Sequence, residues 1–357
     1  MPESVMKGRG FYSHHSGVQH AAAEPGYPML RRAATEVPFD GARPVVIADM
    51  GCAGGRNELE PLGLAVTALR DRDGDVPIVV VHTDLPENDW TSLFTTIADG
   101  EHGYAAGRDH VFGYAAGRSL YGALVPDGSL HLGWSGITVH WLSEMPGVVR
   151  DAIFATFTTG DDRERLREQS RRDWHGFLEH RARELVDGGQ LVVVGGIASD
   201  DGTSGAEGLF RLADEELQDL VRRGMLRASE YDAIFYPTWN RTVGEFLDPL
   251  QGDGPFAAAF SVEDVVTDQT SDAATFPQYE RDGDADAFAA AYIGFARAIT
   301  EPSFFRWLDP DRPEEERVAV VTAFYDGLQR RIAADPGPAT CHWQTVSLRL
   351  VRRAGER

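Results

Sequence analysis

Lysine is nearly missing from this chain: Lys7 is the only one in 357 residues, and arginine carries almost all of the positive charge. That bias is the one a GC-rich bacterial genome imposes, and it singles out Lys7. Cysteine is equally scarce. Cys52 and Cys341 belong to no CxxC pair or metal-ligand cluster, which excludes a disulfide scaffold or zinc module and fits a reducing cytoplasm. No run approaches the roughly 20 apolar residues that span a bilayer, and the N-terminal MPESVMKGRGFYSHH has no apolar signal core, so neither membrane nor secretion is expected. Positive charge is also in deficit. At a net −22 the chain repels phosphate backbones, and nucleic acid is not an expected partner.

Apolar residues make up 42% and charged residues 25%, the balance of a chain that folds throughout. Residues 44–49 (PVVIAD) read as a buried parallel strand entering the glycine-rich MGCAGGRN. Leu59, Leu62, Val66 and Leu69 then recur at helical spacing, with Pro61 tolerable in a first turn. A second buried strand, 77–82 (PIVVVH), leads into a loop where Asn88 or Asp89 can cap a helix bearing Trp90, Leu93, Phe94 and Ile97. The hexapeptide GYAAGR occurs twice between 103 and 118 and reads as a local duplication in a loop beside a short strand.

A strand at 130–134, a long helix at 163–186 with Leu166, Trp174, Phe177, Leu178 and Leu185 on one stripe, and the strand LVVVGG extend the alternation to about residue 198. This pattern predicts an α/β fold with a doubly wound, Rossmann-like sheet. From about 200 to 335 helical periodicity continues without buried strands between, which predicts an inserted, mostly helical cap. Residues 343–351 (WQTVSLRLV) alternate as a last strand returning to the core.

Three segments carry candidate chemistry. The turn DMGCAGGRN over 49–57 lets backbone approach a ligand closely, and its spacing is neither GxGxxG nor GxxxxGK, so a nucleoside without phosphates, such as S-adenosylmethionine (SAM), suits it better than a dinucleotide. Asp84, closing the neighbouring strand, can accept hydrogen bonds from ribose hydroxyls. In SGITVHWLS, His140 and Trp141 fall at the carboxyl edge of the sheet, where open α/β sheets bind ligands; a core tryptophan beside a satisfied histidine is the competing reading.

Taken in order, these segments resemble the SABATH family, the plant carboxyl methyltransferases of salicylate, benzoate and jasmonate together with the caffeine-pathway N-methyltransferases. The matching stretches are Met6, Lys7 and Gly8 through Tyr12 to Ser16 and Gln19; IADMGCAGGRN; HTDLPENDW; and GRSLYGALVP leading into SLHLGWSGITVHWLSEMP. The resemblance implies a class I methyltransferase sheet, SAM as cofactor, and a small hydrophobic or aromatic carboxylic acid converted to its methyl ester, in a cytoplasmic homodimer. It implies a cofactor site of Lys7, Tyr12, Ser16, Asp49, Gly51, Asn57, Asp84, Leu85, Ser119 and Leu120. Gln19 and Trp141 would clamp the carboxylate, with His140 and Ile137 in the acceptor pocket; no metal is implied. The expected division is an N-terminal lid over 1–30, a SAM-binding core over 31–200, an acceptor cap over 201–336 and a returning strand over 337–357. Leu120 and Ile137 stand where an aromatic is usual, which argues against a salicylate-like acid. An N-methyltransferase of a heterocycle, a silent SAM-binding protein and an NAD-dependent oxidoreductase are the alternatives.

Overall fold

The computed structural model describes residues 17–271 and 275–355. Seven strands form one mixed sheet: β1 (Val45–Met50), β2 (Ile78–Asp84), β3 (Val111–Gly117), β4 (Leu130–Gly136), β5 (Leu185–Ile197), β6 (Phe260–Ser271) and β7 (His342–Arg352), in the order β3-β2-β1-β4-β5-β7-β6. β1 to β5 run parallel, while β7 is antiparallel to both β5 and β6.

β1 is buried at every position but Val46, which is only half covered, and its side chains divide between two cores as the pleat dictates. Val45 and Ile47 join Val192, Val194 and Trp134 beneath α1 (Gly17–Ala23), α2 (Tyr27–Glu36) and α3 (Leu59–Arg72). Ala48 and Met50 face the other way, toward Trp174, Phe177 and Leu178 of α5 (Gly160–Glu184) and toward Leu348 and Leu350 of β7. The short helix α4 (Trp90–Ile97) follows β2 and is capped by Asp89, whose side chain accepts from the Ser92 amide at 3.1 Å. Gly26 sets how close the N-terminal helices come: a Cβ there would lie 2.4 Å from Val194 and 3.2 Å from Trp134.

Between β5 and β7 come α6 (Glu207–Arg222), α7 (Ala285–Trp307) and α8 (Glu314–Ala334), which pack on one another around an apolar core of their own. One expectation for this region fails. β6 lies in the stretch read as a mostly helical cap without strands of the core, and it escapes pattern recognition because it is an edge strand, paired to β7 alone, with Glu263, Asp264 and Asp268 along it and Val265 and Val266 left exposed. The two copies of GYAAGR also part company. The first forms a turn with Tyr104 buried under the sheet, and the second becomes edge strand β3 with Tyr114 exposed. Gly113 leaves the space for this, since a Cβ there would meet the Tyr104 hydroxyl at 2.6 Å.

Candidate active site

The turns after β1, β2 and β4, all at the carboxyl ends of parallel strands, converge on one cleft of about 1160 Å³. Gly51 enters its turn at φ +93°, and a Cβ there would lie 2.4 Å from the Thr138 side chain, so the first turn and the β4 loop touch only because residue 51 has no side chain. Asp84 fixes the turn. One carboxylate oxygen accepts from the Ala53 amide and the other from its neighbour Leu85, each at 2.8 Å. Asn88 completes the clasp by donating to the Ala53 carbonyl at 2.9 Å.

The floor of this half is acidic. Trp134 donates its indole N–H to buried Glu58 at 2.7 Å. Burial, then the nearby Asp49, raises the Glu58 carboxyl well above the usual range, and burial likewise raises Asp84 against the pull of its two amide partners. These carboxyls offer hydrogen-bonding oxygens to ribose hydroxyls beside a glycine turn that lets a ligand approach closely, so the residues present fit SAM. Asn57, Leu85, Ser119 and Leu120 join Gly51 and Asp84 in the wall. The 119–122 loop is held by buried Arg181 of α5, which donates to the carbonyls of Leu120 at 2.9 Å and Gly122 at 2.8 Å.

Asp49 stands behind this wall. Its carboxylate takes the Nδ1 side of buried His82 at 2.7 Å, and the His82 Nε2 meets the Tyr104 hydroxyl at 2.9 Å. Asp49, Cys52 and His82 have potential ligand atoms within 4.8 Å of one another, but both ring nitrogens of His82 are already engaged. Lys7, Tyr12 and Ser16 lie outside the described residues.

Gln19 of α1, Ile137, His140 and Trp141 line the other end of the same cleft. Gln19 is buried, and its Oε1 has no partner among the described residues. Ile137 adopts φ +54°, a conformation that strains a β-branched residue; its amide hydrogen bond to the Val194 carbonyl, 2.8 Å, helps to hold it there. The Tyr121 hydroxyl donates to the Trp141 carbonyl at 2.5 Å and lies 3.0 Å from the Val139 carbonyl, to which Arg241, buried, donates at 2.5 Å. The Trp141 ring packs on Tyr236 with centroids 4.9 Å apart. His140 is sealed in beside it, and burial, reinforced by Arg241, drops its pKa to about 4, so it is neutral at pH 7.

Asn88, Tyr121, Arg181 and Arg241 are the contributors that motif reading passes over. Asn88 sits inside a matched stretch and was weighed only as a cap. The arginines come from a helix and a loop far along the chain, and no local pattern marks them.

Sheet order, glycine turn and carboxyl-lined cleft define a SAM-dependent methyltransferase of the Rossmann-like class. Residues 4–309 match the family described as SAM dependent carboxyl methyltransferase, and the chain belongs to it. Among curated relatives, Methyltransferase LUC1 of Fusarium sp is 31% identical over 243 residues, which is 67% of this chain and 64% of that protein's length. A probable jasmonic acid carboxyl methyltransferase 2 of Theobroma cacao is 28% identical over 71% of this chain and 74% of its own. Among solved structures, loganic acid methyltransferase with SAH aligns over 98% of this chain and 99% of that one, with a TM-score of 0.79 at 20% identity, a likeness of fold.

Proposed function

We propose that this protein transfers the methyl group of SAM to the carboxylate of a small hydrophobic acid, giving its methyl ester. One observation carries the reading: Gln19 and Trp141, brought together from α1 and the β4 loop, line the same cleft as the Gly51 turn and Asp84. A carboxylate is ionised at neutral pH, with a reference pKa near 4, so no general base is required of the chain. SAM supplies, when bound, a methyl group on a positively charged sulfur. The chain's own part is placement. The terminal amide of Gln19 and the indole N–H of Trp141 would donate to the acid and hold one of its oxygens ready for methyl transfer, with S-adenosylhomocysteine as the leaving product.

Neutral His140 and the rings of Trp141 and Tyr236 keep the acceptor end apolar, which favours a step in which opposite charges are neutralised. In this reading the helices between β5 and β7 cap the acceptor side. The arginine-for-lysine bias supports a bacterial source. Transfer of labelled methyl from SAM to a panel of carboxylic acids tests the proposal. A base-labile product is the expected result; a base-stable product on a heterocyclic amine would replace it with N-methylation, and SAM binding without transfer to any acceptor would leave a silent binding protein.

A further inference from the structure

Tyr236, Ile299 and Trp343 line the acceptor end of the cleft and also line a second, apolar cavity among the helices between β5 and β7. Leu209 and Leu217 of α6, Phe295 and Phe304 of α7, and Phe324 and Leu328 of α8 form much of its wall, which is almost entirely carbon. Thr300 brings a hydroxyl, but that group is committed, donating to the Ala296 carbonyl at 2.6 Å and pairing with the Tyr325 hydroxyl at 2.8 Å. Packed protein cores leave few voids larger than a water molecule. A carbon-lined space, continuous in its lining with a candidate active site, suits the apolar body of a small molecule.

We propose that the acceptor is a monocarboxylic acid with an extended, unfunctionalised hydrocarbon body, longer than a single aromatic ring. Its tail passes Tyr236, Ile299 and Trp343 into the chamber while its carboxylate stays beside Gln19 and Trp141. The inference rests on the carboxyl-methylation reading above. Among the described residues the lining is carbon apart from the Thr300 and Tyr236 hydroxyls and the indoles of Trp307 and Trp343, so acids bearing a terminal hydroxyl or second carboxylate are disfavoured by the cost of stripping its water.

The test is labelled methyl transfer from SAM to straight-chain saturated acids from butanoic to hexadecanoic, with benzoic acid alongside. The value of kcat/KM should rise about fourfold for each methylene that enters the chamber, the factor given by about 0.8 kcal/mol per buried CH2, and level off when the chamber is full. A terminally hydroxylated dodecanoic acid should fall at least tenfold below dodecanoic acid. Ala213→Trp, which fills the chamber from α6, should lower kcat/KM for dodecanoate at least tenfold and leave that for benzoate unchanged; Leu217→Phe serves if the larger change prevents folding. A flat series with methyl transfer intact would overturn the chamber and leave carboxyl methylation standing. Absence of transfer to every acid, with SAM binding retained by calorimetry, would remove both.

Discussion

The two ends of the cleft are built by different means. At the cofactor end the wall is largely backbone, folded into glycine turns and pinned by bonds between the turns after β1 and β2: Asp84 to Ala53 and Leu85, Asn88 to Ala53. At the acceptor end the wall is side chains from segments far apart in sequence, with Trp141 against Tyr236 and Ile299 and Trp343 from elements further along the chain. A backbone-built site is fixed by a few residues that cannot change without changing the turn. A side-chain-built site can be reshaped one ring at a time, which suits a family whose members act on different acids.

The sharpest way to break this division is to remove one hydrogen-bond donor from the acceptor end. Trp141→Phe keeps an aromatic ring against Tyr236 and deletes the indole N–H; kcat/KM for methyl transfer should fall on the order of a hundredfold, with SAM affinity by calorimetry unchanged. If SAM affinity fell as steeply, the two ends would be one site. The converse variant is Asp84→Asn, which keeps one acceptor oxygen and loses the charge. Its SAM dissociation constant should rise about tenfold to a hundredfold, the range of a lost hydrogen bond to a charged group, while turnover at saturating SAM changes little.

The same contrast explains what could be read from the chain. The cofactor end lies in three continuous stretches, 49–57, 82–90 and 117–122, and those stretches do meet at one sheet edge as a doubly wound pattern requires. Asp49 marks the limit even there: its place in the motif says where the chain turns, whereas its carboxylate points back to His82. Ile299 and Trp343 are invisible by comparison, because a helix position and a strand position become neighbours only after the helices have packed. β6 was illegible for another reason, since an edge strand with an exposed, charged face lacks the apolar alternation that marks buried strands. GYAAGR makes the point most directly, one sequence forming a turn where Tyr104 can reach His82 and a strand where the sheet edge needs a partner.

The smallest expected effect concerns His140 and tests whether the acceptor end is sealed from water. Its pKa is about 4 in the folded chain, lowered by burial and then by Arg241, against about 6.5 when exposed. Between those values the unfolded chain binds a proton that the folded chain refuses, so stability rises with pH across the window. The His140 contribution is therefore whole above pH 6.5 and is lost as the pH falls toward 4. Glutamine carries no such proton, and the acids of the cofactor floor are common to both proteins, so they cancel in the comparison. Urea unfolding at pH 7 and pH 5 should show the wild type losing up to about 2 kcal/mol more than His140→Gln on acidification. Equal losses would mean that water reaches the imidazole, and the acceptor end would then be as wet as the cofactor floor is acidic.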